Sequence, residues 1–200
     1  DTIIRFGSPQ IRTAATVGGN LGTSSPIGDL APLFFVLEAK LSLLGPKGER
    51  TIPIKDFFKG YRKNSLKSNE LIFKVIVPKT KKGDSIFSWK LSKRYDQDIS
   101  TLSLAAKLKM DKSQTIENII LSAGGVGPTP MLLDKTSTLL KDSNLRFNQN
   151  ALLTALSHDI SPISDLRGTA IYRSAAMVGL IKKMQRSVIS GEKQHSIMSI

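Results

Sequence analysis

The first part of the chain carries apolar and polar residues in the alternation that is typical of β-strands. Residues 38–44 alternate in this way, residues 45–48 (Gly-Pro-Lys-Gly) form a strong turn signal, and residues 50–54 return with the same period. This arrangement predicts a β-hairpin. Residues 71–77 are apolar, rich in β-branched side chains and followed by Pro78, so they predict a further strand.

Three more strand patterns follow a lysine-rich loop at residues 79–82. They cover residues 85–92, 101–110 and 115–123, and residues 111–114 (Asp-Lys-Ser-Gln) suit a hairpin link between the last two. Strands with short connections pair most economically as an antiparallel meander. The sequence therefore predicts a three-stranded antiparallel sheet.

The remainder of the chain changes from strand period to helix period. Helices are predicted over residues 134–141, 148–158 and 168–190. The longest segment places four apolar residues at helical spacing: Ile171, Ala175, Val178 and Ile181. Strands followed by helices indicate an α+β fold, here with the helices packed on one face of the antiparallel sheet.

The composition is that of a globular protein with a strongly basic balance. Hydrophobic residues make up 40% of the 200 residues, and 29 Lys and Arg against 16 Asp and Glu give a net charge of +13. Such a charge favours acidic or phosphate-bearing partners. The basic residues are scattered, so a solvated surface is the simpler explanation.

Several classes of protein are excluded by what the sequence lacks. Without cysteine, the chain forms no disulfide and holds no thiolate-bound iron–sulfur cluster of its own. His158 and His195 are isolated and offer no metal-ligand spacing. No apolar run approaches the roughly 20 residues that span a bilayer, and no signal peptide opens the chain, so we expect a cytoplasmic protein. Because the first residue is Asp1 rather than Met, we expect a chain cut from a longer protein.

Residues 15–30 concentrate glycine, serine and threonine and are the best candidate for chemistry. The Gly18-Gly19 pair allows the backbone to approach a ligand closely, and nearby hydroxyls and amides can donate to phosphate oxygens. Either Ser25-Pro26 or Asp29 would then open an apolar helix, with Pro32 in its first turn. The stretch predicts an anion-binding loop, and a plain connecting loop is the alternative.

The same stretch resembles the FAD-binding signature of the molybdenum hydroxylase flavoproteins. That family includes xanthine dehydrogenase, aldehyde oxidase and the medium subunit of carbon monoxide dehydrogenase. The resemblance is carried by residues 15–20, 25–30, 50–63, 69–72, 93–100, 124–129 and 164–173. These blocks occur in the order found in the family and cover nearly the whole chain.

The resemblance implies an FAD site on this chain. The turn along the pyrophosphate and ribityl chain is implied to comprise Thr16, Gly18, Gly19 and Asn20. Thr23 and Ser25 match the hydroxyl donors of that turn, and Asp29 matches an acidic residue that hydrogen-bonds the cofactor. Hydroxyls and backbone amides are suitable phosphate ligands, which agrees with this assignment.

Four further residues are implied to contact other parts of FAD. Phe6 matches an aromatic residue near the adenine end, and Ile72 matches an apolar residue that packs on the cofactor. Lys90 matches a basic residue facing the flavin ring system, and Arg94 lies in a loop that moves over the flavin in some members. Phe6 and Ile72 also suit an ordinary core, and Lys90 could equally point to solvent.

The resemblance also implies the organisation of the chain. Residues 1–78 would be the second subdomain, which is the C-terminal half of a two-subdomain FAD-binding domain of the PCMH type. Residues 80–190 would be a CO dehydrogenase flavoprotein C-terminal-like domain, and residues 191–200 a tail. An earlier subdomain that supplies another phosphate loop is expected to be missing, so we expect the isolated chain to be inactive.

The implied function is that of the flavoprotein portion of a xanthine dehydrogenase-like enzyme. FAD would receive electrons from an iron–sulfur domain or subunit and pass them to NAD or oxygen, while a molybdopterin-binding subunit with its molybdenum cofactor hydroxylates a purine or another heterocycle. The alternative is a non-catalytic module that retains the fold and mediates subunit contacts. Nucleic-acid binding is disfavoured, because no aromatic-interleaved basic stripe occurs. Asp165, Arg167 and Arg173 are interpreted as ion pairs that fix the long helix to the sheet.

Overall fold

The computed structural model describes residues 2–94 and 97–191, so the predicted tail lies almost wholly outside the described residues. The N-terminal region, residues 2–78, contains α1 (Pro9–Ala14), α2 (Val17–Gly22), α3 (Ala31–Val36), β1 (Lys40–Gly45), β2 (Gly48–Pro53), a 3-10 turn (Ile54–Asp56), β3 (Phe58–Gly60), β4 (Lys63–Asn64) and β5 (Leu71–Ile76). The C-terminal region, residues 84–191, contains β6 (Asp84–Leu91), β7 (Leu102–Met110), β8 (Ile116–Gly124), β9 (Met131–Leu132), α4 (Asp134–Leu140), α5 (Gln149–Asp159) and α6 (Ala170–Ile189).

The predicted hairpin near the start of the chain is confirmed. β1 pairs antiparallel with β2, and the register closes at Gly45 opposite Gly48, so Pro46 and Lys47 form the turn. β5 joins the other side of β1 and completes a three-stranded sheet. The inner face of this sheet is apolar: Leu41 and Leu43 are fully buried and pack in one cluster with Phe57.

The predicted meander in the C-terminal region is also confirmed, with one addition. β6, β7 and β8 pair antiparallel in sequence order, and the short β9 adds a fourth strand beside β8. The prediction of three strands was therefore one too few, because β9 has only two residues and shows no period. The link between β7 and β8 is held by hydrogen bonds to the Asp111 carboxylate, as its turn signal predicts.

Both faces of this four-stranded sheet are covered. On one face, Leu102, Leu104 and Leu108 join the main core, which also includes apolar residues of α4, α5 and α6. On the other face the sheet meets α3 of the N-terminal region. Lys107 of β7 forms an ion pair there with Glu38, just after α3. The three C-terminal helices therefore cover one face as predicted, and the N-terminal region covers the other.

The three predicted C-terminal helices are present, but the buried face of α6 differs from the prediction. Val178 and Ile181 are buried, whereas Ile171 is 83% exposed and Ala175 is exposed. The buried face is centred on Arg173, Met177, Leu180 and Met184. At 3.6 residues per turn this centre lies more than about 120° from Ile171 and Ala175, so two positions of the predicted apolar stripe face outward.

The glycine-rich stretch is more ordered than its sequence predicts. Residues 17–22 form the short helix α2, where a loop was expected. α3 begins at Ala31, so the prediction that Ser25-Pro26 or Asp29 opens it was wrong. Residues 25–28 close a turn of their own through the Gly28 amide and the Ser25 carbonyl, which delays the helix. Pro32 lies in the first turn of α3, as predicted.

Candidate functional site

A cavity of about 700 Å³ lies between the N-terminal region and the end of the four-stranded sheet. This volume is within the range of small-molecule and cofactor sites. Its walls come from three places: the segment before α3, the loop between β6 and β7, and the turn after β8. Because both regions contribute, the cavity exists only when they are packed together.

Five of the residues predicted to contact FAD line this one cavity. They are Phe6, Asn20, Ser25, Asp29 and Lys90. They are spread over 85 positions of the sequence, and the fold brings them together. The cavity therefore combines an aromatic ring, an amide, a hydroxyl and a buried ion pair.

The ion pair joins Asp29 of the N-terminal region to Lys90 of β6. The Lys90 ammonium donates to the Asp29 carboxylate at 2.8 Å, and both side chains are nearly buried, with 11% and 13% exposed. The second Asp29 oxygen accepts from the Ser100 hydroxyl. Lys90 also donates to the Arg5 carbonyl at 3.1 Å. Lys90 thus points into the protein rather than to solvent and brings positive charge to the cavity wall.

The segment that carries Phe6 is held in place by two cations. Lys90 fixes the Arg5 carbonyl, and the Arg12 guanidinium donates to the carbonyls of Ile4 and Phe6 at 3.0 and 2.9 Å. These bonds fold residues 4–6 back over α1 and hold the Phe6 ring at the cavity. Phe6 is therefore positioned by side chains that its own sequence neighbourhood does not reveal.

Asn20 is the residue whose geometry points most directly to a ligand. Its side-chain carbonyl oxygen is buried, and within the described residues it has no hydrogen-bond partner. A buried polar oxygen without a partner carries a cost of about 1–3 kcal/mol. Gly28 packs beside it, so that an added Cβ would lie 3.7 Å from that oxygen. The Asn20 amide is thus available to a bound molecule.

The remaining residues of the predicted phosphate turn lie in α2 and not on the cavity wall. Thr16 caps this helix by accepting from the Gly19 amide at 2.9 Å, and the Thr23 hydroxyl donates to the Asn20 carbonyl at 2.8 Å. Gly18 packs against β5, because a Cβ there would lie 3.7 Å from the Ile72 carbonyl oxygen. The glycine therefore allows close packing of α2 on the sheet, and Ile72 contacts the N-terminal core.

Arg94 lies on an exposed loop at the edge of the site. Its backbone amide donates to the Asp98 carboxylate at 2.9 Å, and its guanidinium lies 3.8 Å from the same group. The amide hydrogen bond from Arg94 lowers the pKa of Asp98 below its ordinary value. Asp98 itself lines the cavity, so Arg94 lies next to the wall without forming it.

Sequence reasoning missed several cavity residues. Tyr61 and Arg62, which lie between β3 and β4, are part of the wall, and Arg62 adopts a positive φ of 53°. Ser100, Arg167 and Arg173 also line it. All five fall within the blocks that carry the family resemblance, but no charge pattern or periodicity marks them as part of a site.

Arg173 closes the inner end of the cavity and is 2% exposed. It donates to the carbonyls of Thr101 and Gly125 and to the Asp165 carboxylate at 2.7 Å. Burial opposes ionisation of Asp165, but hydrogen bonds from the Arg167 amide and from Arg173 outweigh it, so the pKa of Asp165 lies below its ordinary value. The predicted ion pair between α6 and its surroundings is confirmed for Asp165 and Arg173.

Comparison with known proteins explains this architecture. Residues 1–80 match the FAD binding domain in molybdopterin dehydrogenase, and residues 87–188 match the CO dehydrogenase flavoprotein C-terminal domain. The chain belongs to the flavoprotein family of the molybdopterin dehydrogenases. The resemblance seen in the sequence is thereby confirmed, and its FAD-binding part includes every predicted contact except Lys90 and Arg94.

Curated relatives of the family are much longer than this chain. The nicotinate hydroxylase of Emericella nidulans is 34% identical over 188 residues, which are 90% of this chain and 14% of the relative. The xanthine dehydrogenase/oxidase of Gallus gallus is 35% identical over 162 residues, which are 78% of this chain and 12% of the relative. The chain thus spans about one seventh of these proteins.

Solved structures share the fold. A carbon monoxide dehydrogenase chain from Hydrogenophaga pseudoflava superposes with a TM-score of 0.81 at 27% identity, over 90% of this chain and 62% of that one. The reconstituted CO dehydrogenase of Oligotropha carboxidovorans gives a TM-score of 0.81 at 26% identity, over 90% and 63%. The α+β fold is therefore that of the family. In the described residues, none of the helices has the length and apolar character needed to span a bilayer.

The residues of the cavity fit the FAD that the family binds. Asn20 offers an amide whose buried oxygen lacks a partner, Ser25 offers a hydroxyl, and Phe6 offers a ring face. The Lys90 ammonium adds positive charge at the wall. A dinucleotide with a flat ring system and a diphosphate needs this mixture of apolar, hydrogen-bonding and cationic groups.

Proposed function

We propose that this chain is the flavoprotein portion of a xanthine dehydrogenase-like molybdenum hydroxylase and that FAD binds in the cavity between its two regions. The observation that carries the proposal is the convergence of Phe6, Asn20, Ser25, Asp29 and Lys90 on that cavity. When bound, FAD supplies the electron-transfer chemistry that protein side chains lack.

The chain's own residues would bind and orient the cofactor. Asn20 and Ser25 supply hydrogen-bonding groups, and Phe6 supplies an apolar face. Asp29 keeps the Lys90 ammonium in position at the wall. Thr16, Gly18, Gly19, Thr23, Ile72 and Arg94 remain predicted contacts, since they surround the cavity without lining it.

The place of this module in a longer electron route follows from its composition and its relatives. The chain has no cysteine, so the iron–sulfur cluster that donates electrons belongs to another part of the assembly. NAD or oxygen would accept the electrons. Relatives named for nicotinate and xanthine favour a nitrogen heterocycle as the oxidised substrate, and we propose a purine.

Flavin content tests the proposal. The purified protein should carry FAD, or acquire it on addition, with flavin absorbance near stoichiometric amounts. Asn20→Ala should weaken FAD binding by about tenfold, because a hydrogen bond to the ligand is lost while no bond within the chain is broken. Asn118→Ala, on an exposed part of β8, is the matched control.

A second variant tests the glycine pair. Gly19→Val should abolish FAD retention, because its Cβ would lie 2.9 Å from the Thr16 hydroxyl oxygen and would displace the cap of α2. If the folded wild-type protein takes up no FAD while still assembling with its partners, the chain is a non-catalytic contact module and the proposal fails.

A further inference from the structure

We infer that a surface patch beside the cavity is the docking site for the iron–sulfur domain or subunit of the assembly; this inference rests on the proposed function. The patch consists of Ile163, Leu166, Ile171 and Tyr172, and we call it the hairpin patch. These four side chains are exposed by 68%, 93%, 83% and 48%. An exposed apolar cluster of this kind marks an interaction surface.

The hairpin patch stands on a rigid support. Asp165 and Gly168 pair as an isolated antiparallel bridge, so Leu166 lies at the tip of a tight hairpin. The Asp165 carboxylate accepts from the amides of Arg167 and Gly168 and from the buried Arg173. The tip is thus held before any partner arrives, so little ordering is needed on binding.

The surroundings of the patch are basic. Lys93 donates to the Leu166 carbonyl at 2.8 Å, and both residues line a shallow depression of about 410 Å³ together with Arg167 and Tyr172. Asp165, the acidic residue of this depression, is already paired with Arg173. Within residues 2–94 and 97–191, the Arg167 guanidinium has no carboxylate partner. An apolar centre with an uncompensated basic rim fits an acidic protein surface with an apolar centre.

The position of the patch selects the partner. Ile163, Asp165 and Arg167 line the FAD cavity, and Leu166 lies between the last two. A protein that covers Leu166 therefore lies against the cavity wall. The electron donor must come close to the flavin, whereas the molybdenum-containing module needs no such contact. The iron–sulfur partner is the occupant that combines this proximity with the required acidic surface.

The test uses the complete assembly, purified through an affinity tag on this chain. Leu166→Asp and Arg167→Glu place negative charge in and beside the patch. Iron per FAD and the rate of flavin reduction after substrate addition are measured for both. Ile189→Asp is the matched control, since Ile189 is 64% exposed at the far end of the same 20-residue helix, roughly 27 Å from Ile171.

The inference predicts that Leu166→Asp keeps its FAD per chain but loses iron per FAD, or reduces the flavin at least about tenfold more slowly. Arg167→Glu should act in the same direction, and Ile189→Asp should match the wild type. Unchanged iron content and reduction rate in Leu166→Asp would overturn the inference. So would a halved molecular mass with unchanged iron per FAD, because the patch would then join two copies of this chain. A wild-type assembly without FAD would instead refute the proposed function, and this inference with it.

Discussion

At the residue scale, the buried pair of Asp29 and Lys90 joins the two regions where the cavity forms. Each partner comes from a different region, and Ser100 completes the shell around the carboxylate. A buried ion pair is weak evidence of net stabilisation, but removal of one partner leaves an uncompensated charge. The pair therefore constrains geometry more than it adds to the free energy of unfolding.

Removing the carboxylate should be costly. We expect Asp29→Ala to lower the free energy of unfolding by about 3 kcal/mol, because the Lys90 ammonium would stay buried without its counter-ion. Urea denaturation followed by Trp89 fluorescence measures the change. Lys74→Ala, which removes an exposed pair with a 3.6 Å separation, should leave the urea midpoint nearly unchanged. Equal effects of the two substitutions would contradict this view of Asp29.

A second residue-scale prediction concerns pH. The Arg50 guanidinium and the Lys67 amide lower the pKa of Glu70 to about 2, from an ordinary value of 4.5. A carboxyl group whose pKa is lower in the folded state stabilises the fold above its unfolded pKa and loses this contribution as the pH falls through the folded pKa. Arg50 lies in β2 and Glu70 just before β5, so the pair spans the N-terminal sheet.

The Glu70→Gln variant should accordingly melt at a lower temperature than the wild type at pH 7. The difference should shrink between pH 4.5 and about pH 2, where the wild-type carboxyl group also becomes neutral. Thermal melts followed by circular dichroism over this pH range provide the measurement. A difference that is constant with pH would show that Glu70 acts through packing rather than through its charge.

At the element scale, α6 depends on a side-chain cap. Thr169 accepts from the Tyr172 amide at 3.1 Å and begins the helix that carries the buried Arg173. Thr169→Ala should lower the free energy of unfolding by about 1 kcal/mol, and Thr169→Ser should leave it nearly unchanged. Denaturant unfolding of both variants checks this expectation. An equal loss in the serine variant would point to the threonine methyl group instead of the cap.

The elements also show what the sequence could predict. Long periodic segments, such as those that form β7 and α6, were predicted because their period is set by burial on a single face. The two-residue β9 and the six-residue α2 are too short to show a period. The outward position of Ile171 could not be predicted either, because an apolar residue has the same sequence signal whether it faces a core or a partner.

The candidate site was predictable in a similarly partial way. Asp29 and Lys90 were identified through family resemblance, and the fold then paired them. Arg173 was interpreted as structural, and its position at the inner end of the cavity became visible only in three dimensions. Contacts between residues that are 60 or more positions apart leave no local pattern in a single sequence.

At the scale of the whole molecule, the turn after β8 connects the two regions through the backbone. The Gly125 amide donates to the Pro26 carbonyl at 2.8 Å, and Gly125 has a φ of 81°. An added Cβ would lie 3.1 Å from a nitrogen of the Arg173 guanidinium and even closer to the Thr101 carbonyl oxygen. Only glycine satisfies both the backbone conformation and this space.

Gly125→Ala should therefore destabilise both regions together, by roughly 2 kcal/mol or more, since it combines backbone strain with overpacking. Unfolding should remain a single transition when it is followed by Trp89 fluorescence and by far-ultraviolet circular dichroism. Gly48→Ala is the control, because Gly48 has a φ of 104° but no atoms within 4 Å of an added Cβ. It should show the strain of about 1 kcal/mol alone.

The shared walls of the cavity have a thermodynamic consequence. Because Asn20 and Asp29 belong to one region and Ser100 and Arg173 to the other, a ligand that touches both sets binds only the docked arrangement. Each increment of ligand affinity then also resists separation of the two halves, and loosening their contact weakens the ligand by an equal free energy. Occupancy of the pocket and cohesion of the fold are in this way two readings of a single equilibrium.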